Sequence, residues 1–267
     1  HYCRKTTTIV DGVDTHQLKA GIDGNKDQSY FLCQLNQTQL ENALFPIGEM
    51  TKPEVRELAS RIELPTADKK DSQGLCFIGK VRLPEFLQQQ LKVKAGDIVE
   101  IPANHSKCLA RAQYTSNQST SPINWNREDG TVVGEHQGAH FFTVGQRRGL
   151  NVGGKPEPLF VLAKDVVENV LYVGQGESHP GLLRNALRMH RDEVHWIRED
   201  LALDETNAAQ KFEVRIRYRQ PLQHATLALS GDYVSITFDN AQSGIAAGQF
   251  AAWYDGDECI GSGVICD

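Results

Sequence analysis

Cys76 is the residue of this sequence whose type and surroundings best suit nucleophilic chemistry. It lies in the segment DSQGLCFIG at residues 71–79, and its nearest cations in the sequence are Lys69, Lys70 and Lys80. The thiolate is the reactive form of cysteine, and neighbouring cations favour it. The segment therefore predicts a nucleophile or a sulfur carrier that flanking glycines allow to move. A cysteine buried among its apolar neighbours is the alternative.

Arginines recur at every second position in a stretch that alternates between apolar and charged residues. Arg215, Arg217 and Arg219 share one side of the pattern over residues 212–219, and the other side is apolar. The alternation predicts a strand. On it, neighbouring arginines would lie about 7 Å apart, close to the phosphate spacing of a nucleic-acid strand. A solvated barrel face paired with acidic neighbours is the alternative.

Two further polar segments have the composition of phosphate or base contacts. Residues 145–150, GQRRGL, place two arginines between glycines, which suits phosphate contact although the Walker spacing is absent. Residues 26–30, KDQSY, combine charge with an aromatic ring, which suits contacts with RNA. An ordinary turn and an ordinary helix start are the respective alternatives.

Helices are predicted mainly in the first third of the chain. Asn36 can cap a helix over residues 36–45. Thr51, with Glu54 three residues later, forms a capping box for a second helix. A third, short helix is predicted over residues 84–91.

Strands are predicted mainly in the last 110 residues or so, where apolar and polar residues alternate from about residue 158. Short strands with turns about every ten residues are typical of a small barrel or sandwich. Asp255-Gly256, between two apolar runs, predicts a hairpin. A strand is also predicted at residues 97–101, and the polar residues 102–130 are expected to form an exposed insertion or an irregular loop.

Composition excludes several broad classes of protein. The 267 residues are 40% hydrophobic, which fits about two globular domains and excludes a wholly disordered chain. No apolar run exceeds five residues, so we expect no membrane span, and His1 is followed by no apolar leader. The net charge of -6 argues against a generic polyanion binder but leaves room for a local basic face. Six cysteines without a C-x-x-C pair indicate a reducing, cytoplasmic compartment rather than a disulfide scaffold or a zinc ribbon.

Taken together and in order, the motifs resemble those of bacterial tRNA-specific 2-thiouridylases over nearly the whole chain. The segment that contains Cys76 is the most diagnostic of them. The motifs are NKDQSYFL (25–32), LFPIG (44–48), KKDSxGxCFIG (69–79), GxHxG (134–138), TxGQRxGL (143–150), RYRQ (217–220) and GQ (248–249).

The resemblance implies an α+β multidomain fold. Residues 1–80 are expected to be the tail of an α/β PP-loop domain that carries the Cys76 loop. Residues 81–157 would form a small central domain with the polar insertion, and residues 158–267 an antiparallel β-barrel that binds tRNA. No initiator methionine is present. We therefore expect the chain to be about the C-terminal two-thirds of the enzyme.

The resemblance also implies the chemistry, which is ATP-dependent 2-thiolation of the wobble uridine of tRNA. Cys76 matches the cysteine that carries the persulfide, and a sulfur-donor relay protein is the implied partner. ATP with Mg²⁺ would be bound mainly by a segment before His1, which would also hold a first catalytic cysteine. No metal site of the chain's own is predicted. The family's tRNA-contact positions fall on His1, Lys26, Asp27, Gln28, Arg217, Tyr218 and Gln249.

The sequence departs from the family pattern in several respects. The polar stretch 102–130 is longer than is usual in the family, and five cysteines match no catalytic position: Cys3, Cys33, Cys108, Cys259 and Cys266. The Ser-Gly-Gly-x-Asp-Ser loop that cradles the phosphates of ATP is absent from these residues. Two alternatives to a thiouridylase therefore stay open. One is a non-catalytic RNA-binding module, and the other is a persulfide relay protein that works without ATP.

Overall fold

The computed structural model describes residues 1–69, 93–113 and 120–266. The described chain divides into two compact units. The first contains residues 1–69, 187–240 and 247–266, and the second contains the described residues of 93–186 together with 241–246. Cys76 and the predicted helix over residues 84–91 lie outside the described residues.

A closed antiparallel barrel of six strands forms the centre of the first unit. The order around it is β12-β11-β8-β9-β10-β7, and β12 pairs back with β7 to close the ring. The strands are β7 (Leu183–Trp196), β8 (Ala209–Arg215), β9 (Gln223–Ser230), β10 (Tyr233–Ser243), β11 (Phe250–Asp255) and β12 (Glu258–Cys266). This closure confirms the predicted C-terminal barrel.

Period-two alternation accounts for the barrel interior. Phe212 and Val214 of β8 are buried, and in the β9–β10 pair Ile236 lies opposite the equally buried Leu227. The β11–β12 hairpin is also confirmed, with Gly256 and the residue after it forming its two-residue turn.

The N-terminal segment joins the sheet of the barrel. A hairpin of β1 (Cys3–Val10) and β2 (Val13–Ala20) extends it, because Leu18 pairs with Cys259 at the start of β12. Buried residues of the segment and of the barrel form one core: Cys3, Leu18, Cys33, Leu40, Ile197, Ala252, Tyr254 and Cys259.

The predicted cap at Asn36 and the predicted capping box at Thr51 are both present in the N-terminal segment, and Asn36 also forms a capping box, with Gln39. The first caps α1 (Gln37–Glu41) and the second caps α2 (Lys52–Arg61). Helix α1 ends at Glu41, four residues earlier than predicted. A 3-10 turn, Ser29–Leu32, lies between the hairpin and α1.

The second unit is built on a four-stranded sheet in the order β4-β3-β6-β5. Its strands are β3 (Gly96–Glu100), β4 (Thr131–His136), β5 (Leu159–Asp165) and β6 (Val170–Gln175), and β3 runs parallel to β6. Strands β5 and β6 were expected to belong to the barrel. In the structure they lie in this second sheet instead, where β6 pairs with both β5 and β3. Alternation identifies a strand and not its partner, and the partner is set here by packing of Val161, Leu171 and Val173 against Ile98.

The described part of the polar stretch 102–130 is more ordered than predicted. It contains helix α3 (Ser106–Gln113), and Trp125 is only 4% exposed. The apolar residues Cys108 and Trp125 pack with Ile101 and Leu182 in one core, which holds the stretch on the sheet. The expectation of a purely exposed, irregular loop is therefore wrong for these residues.

The second unit contains two buried histidines, from which we predict that acidic pH lowers its free energy of unfolding. Burial lowers the pKa of His136 and of His179 from the ordinary value of 6.5. In His179, Nδ1 accepts a hydrogen bond from the Gly181 amide, and Nε2 lies 3.1 Å from the Ile101 carbonyl oxygen. The neutral ring therefore fits the folded state, whereas the unfolded chain takes up protons as the pH falls below about 6.5.

We therefore expect the second unit to be fully stable above about pH 7 and to lose stability as the pH falls from about 6.5 to 5.5. Hydrogen exchange measured by mass spectrometry, corrected for the intrinsic pH dependence, should show earlier opening of β3 and β6. The barrel strands β11 and β12 serve as the internal control. Equal protection of β3 and β6 at both ends of this range would contradict the prediction.

Candidate functional site

Asp27 anchors the loop that contains the predicted tRNA-contact residues 26–28. Its carboxylate is 4% exposed and accepts hydrogen bonds from the amides of Gly21 and Ser29 and from the Ser29 hydroxyl. It also pairs with Arg215 at the end of β8, at 3.0 Å. The structure thus places the Asp27 side chain inside the protein, where it holds the loop against the barrel.

Tyr30 connects this loop to the chain neighbours of two other predicted contact positions, Arg217 and Gln249. Its hydroxyl oxygen lies 3.2 Å from the carbonyl oxygen of Ile216 and 3.0 Å from that of Phe250. These residues are the direct neighbours of Arg217 and Gln249. Burial raises the pKa of Tyr30 to about 12, so the hydroxyl stays protonated and can donate.

His1 is held beside Gln28 by backbone contacts. The Tyr2 amide donates to the Gln28 side-chain oxygen at 3.0 Å, and the Gln28 amide donates to the Tyr2 carbonyl oxygen at 3.1 Å. Gly21 permits this approach, because a Cβ there would lie 2.5 Å from the Tyr2 carbonyl oxygen. His1 is exposed, and Lys26 and Gln28 are half-buried. The seven predicted contact positions therefore all belong to the first unit. Asp27 and Gln28 take part in these hydrogen bonds, and His1, Arg217 and Gln249 are direct chain neighbours of residues that do.

The predicted row of three arginines on one strand is wrong. Strand β8 ends at Arg215, and residues 216–219 form a bend and a turn. The Ile216 amide donates to the Gln220 side-chain oxygen at 2.9 Å rather than to a neighbouring strand, and Arg219 has a positive φ of 65°. Arg215 pairs with a buried carboxylate, and Arg217 lies in the bend, so the three do not form a linear phosphate ladder.

Tyr218 lies beyond the end of β8. Its ring centroid lies 4.6 Å from that of Phe31, and the Arg219 guanidinium lies over it at 5.1 Å. Phe31 is 57% exposed. We call Phe31, Tyr218 and Arg219 the aromatic platform, because exposed rings beside cations are the usual surface on which unpaired RNA bases stack.

Phe31 is not among the candidate residues predicted from the sequence, and Arg219 was predicted only as part of the row of arginines. Phe31 follows the charged and aromatic residues 26–30, and an additional ring beside them was the available signal. The fold also half-buries Arg217, which lowers the pKa of its guanidinium, with Tyr30 acting in the opposite direction. Arginine still stays charged at neutral pH.

Four of the five described cysteines are unsuited to nucleophilic chemistry. Cys3, Cys33, Cys108, Cys259 and Cys266 are free thiols. Burial raises the pKa of the first four, to about 12 for Cys3, so their thiolates are disfavoured. This agrees with their lack of a match to any catalytic position in the sequence.

The described residues contain no group of three or more His, Cys, Asp or Glu side chains that could hold a metal ion. The phosphate-cradling loop is missing from the sequence as well. In the part of the chain that the structure describes, every helix is too short or too polar to span a lipid bilayer.

Comparison with known proteins assigns the class and then the family. Domain families described as tRNA methyl transferase HUP domain, tRNA methyl transferase PRC-barrel domain and aminomethyltransferase β-barrel domain match residues 1–80, 112–175 and 187–265. These matches define a multidomain protein of the tRNA-modifying class.

Relatives named tRNA-specific 2-thiouridylase MnmA identify the family more narrowly than the domain descriptions do. Those of Christiangramia forsetii and Flavobacterium johnsoniae are each 55% identical to the chain, and that of Karelsulcia muelleri is 42% identical. Each match covers 99% of this chain and 68% of the relative. The chain belongs to the tRNA-specific 2-thiouridylase family.

Proposed function

We propose that this chain contains the tRNA-binding and sulfur-carrying part of an ATP-dependent tRNA uridine 2-sulfurtransferase. The substrate is the wobble uridine of tRNA, and the sulfur comes from a persulfide on Cys76 that a sulfur-donor relay protein loads. The observation that carries the tRNA assignment is the assembly of residues 26–28, Arg217, Tyr218 and Gln249 around Tyr30 and Asp27. ATP is implied by family membership, and no part of its binding is assigned to the described residues.

Local charge and stacking explain how an acidic chain would hold RNA. The net charge of -6 repels a polyanion at long range, so attraction has to come from nearby cations. Lys26 and Arg217 supply positive charge beside the aromatic platform. A base that has left the anticodon stack can then rest on Phe31 while neighbouring phosphates meet the cations. Asp27 acts in this proposal as a positioning residue, since its carboxylate is occupied inside the protein.

Arg217→Ala in the complete enzyme should weaken tRNA binding about three- to tenfold. The reason is that each phosphate neutralised by a cation releases counterions, so the slope of log K against log salt should also fall, by about one unit or less. Arg217→Lys should retain much of the binding, because a point charge still attracts phosphate. Filter binding at three salt concentrations measures both quantities.

Arg191→Ala is the matched control for this experiment. Arg191 lies on β7 of the same unit, is more than half exposed and lies 3.7 Å from Glu205, so its removal changes the net charge equally. We expect it to leave both affinity and slope nearly unchanged. If Arg217→Ala behaves like this control, Arg217 does not contact RNA.

A further inference from the structure

The turn at residues 143–149 of the second unit presents two arginines on a rigid backbone. Arg147 and Arg148 are exposed, and the residues that flank the turn, Phe142 and Leu150, are buried. Among the residues that the structure describes, no carboxylate forms an ion pair with either arginine. Three other cations of this unit do have such partners, in the pairs Lys107–Asp129, Arg127–Asp97 and Lys155–Glu100.

Gln146 fixes the shape of the turn. Its side-chain oxygen accepts from the Thr143 amide at 3.1 Å, and its side-chain nitrogen donates to the Arg148 carbonyl oxygen at 2.8 Å. Val161 of β5 bonds the backbone at both Gly145 and Gln146. The two adjacent arginines are therefore held on a backbone that is ordered before any ligand arrives, which lowers the entropy cost of binding.

The glycines of the turn are required by its geometry. Gly145 and Gly149 have φ angles of +83° and +88°, in the region that side chains disfavour. On the C-terminal side, a Cβ on Gly153 or Gly154 would meet no atom within 4 Å, so there is open space at these two positions. Because Arg147 and Arg148 are themselves exposed, a ligand can reach them from solvent.

We propose that Arg147 and Arg148 form a second contact site for the phosphodiester backbone of the tRNA, on the second unit and separate from the aromatic platform. The planar guanidinium fork matches phosphate oxygens in pairs, which a lysine does not. RNA is favoured over a protein partner because the exposed residues of 143–154 include no large apolar side chain that could anchor a protein interface. The proposal rests on tRNA being the substrate.

The test compares tRNA binding by two double variants of the complete enzyme between about 50 and 200 mM salt. Arg147→Ala with Arg148→Ala should bind tRNA at least about tenfold more weakly, and the salt slope should fall by about one to two units. The control, Arg127→Ala with Lys164→Ala, removes two exposed cations from the same unit and should change neither quantity comparably. The double lysine variant, Arg147→Lys with Arg148→Lys, should recover most of the slope and only part of the affinity.

Each outcome bears on one proposal. A folded parent enzyme that fails to bind tRNA overturns the proposed function. If the parent binds and Arg217→Ala weakens binding, but the double alanine variant matches its control, only the second contact site is overturned. Loss of thiolation with unchanged tRNA affinity and slope also overturns it, because the turn would then serve a protein partner. Equal melting temperatures of the parent and the double alanine variant exclude misfolding as the cause.

Discussion

Cys76→Ser in the complete enzyme should abolish 2-thiouridine formation and leave tRNA binding and ATP-dependent activation of the tRNA largely intact. Serine has nearly the shape of cysteine, but its oxygen cannot carry a transferable sulfur atom. The expected loss is complete within detection, because Cys76 is the assigned sulfur carrier and burial disfavours the thiolates of Cys3, Cys33, Cys108 and Cys259. Mass spectrometry of nucleosides from the reacted tRNA measures the product, and release of pyrophosphate measures the activation.

Cys266→Ser is the matched control for this variant. Cys266 is half-buried, and its sulfur lies 3.3 Å from the Arg188 carbonyl oxygen, a contact that a serine hydroxyl can make. Thiolation by this control should be normal. Normal thiolation by Cys76→Ser would contradict the sulfur-carrier assignment.

The parent enzyme distinguishes the two alternative functions. Absence of ATP-dependent activation in the parent would favour the persulfide relay protein. Binding of tRNA by the parent without any sulfur transfer would favour the non-catalytic RNA-binding module.

Asp27→Ala should cost about 3–5 kcal/mol in the free energy of unfolding of the first unit, because it leaves a buried charge without its partner. Arg215 is 12% exposed in its side chain and would lose the carboxylate 3.0 Å away. The amides of Gly21 and Ser29 would lose their acceptor as well. Urea unfolding followed by circular dichroism measures the change.

The same variant should also weaken tRNA binding under conditions where it is still folded, although the Asp27 carboxylate does not face solvent. The reason is that the loop with Lys26 and Gln28 would no longer be held against β8. Asp257→Ala is the control, since Asp257 is 43% exposed and pairs with Arg4 and Lys19. It should cost about 1 kcal/mol or less and leave tRNA binding unchanged. Equal destabilisation by the two variants would contradict the prediction that the buried Asp27 stabilises the first unit more than the exposed Asp257 does.

Features that depend on neighbouring residues could be predicted from the sequence. The capping box at Thr51, the hairpin at Gly256 and the burial of Phe212 and Val214 follow from local hydrogen bonding and period-two alternation. The recurrence of such runs predicts a small barrel or sandwich, and the family resemblance, which rests on motifs in a fixed order, implies the barrel. None of these inferences required knowledge of which segments meet in space.

Features that depend on distant contacts could not be predicted. Alternation marked β5 and β6 as strands, yet only the packing against Ile98 assigns them to the second unit. The composition of residues 26–30 and the family resemblance suggest an RNA contact at Asp27. Its burial is set by partners such as Arg215, which lies 188 residues away in sequence. Alternation predicts that the strand continues past Arg215. It cannot show that the Ile216 amide donates to the Gln220 side chain instead of to a neighbouring strand.

The pairing of the N-terminal hairpin with the last strand has a consequence for the order of events during translation. Arg4 and Asp257, which bond each other beside this pairing, are separated by 253 residues. At about 5–20 residues per second, a ribosome needs about 13–50 seconds to make that stretch. The hairpin is therefore made long before β12 exists. During that interval the edge of β2 that later pairs with β12 is open, and an open strand edge can pair with another chain.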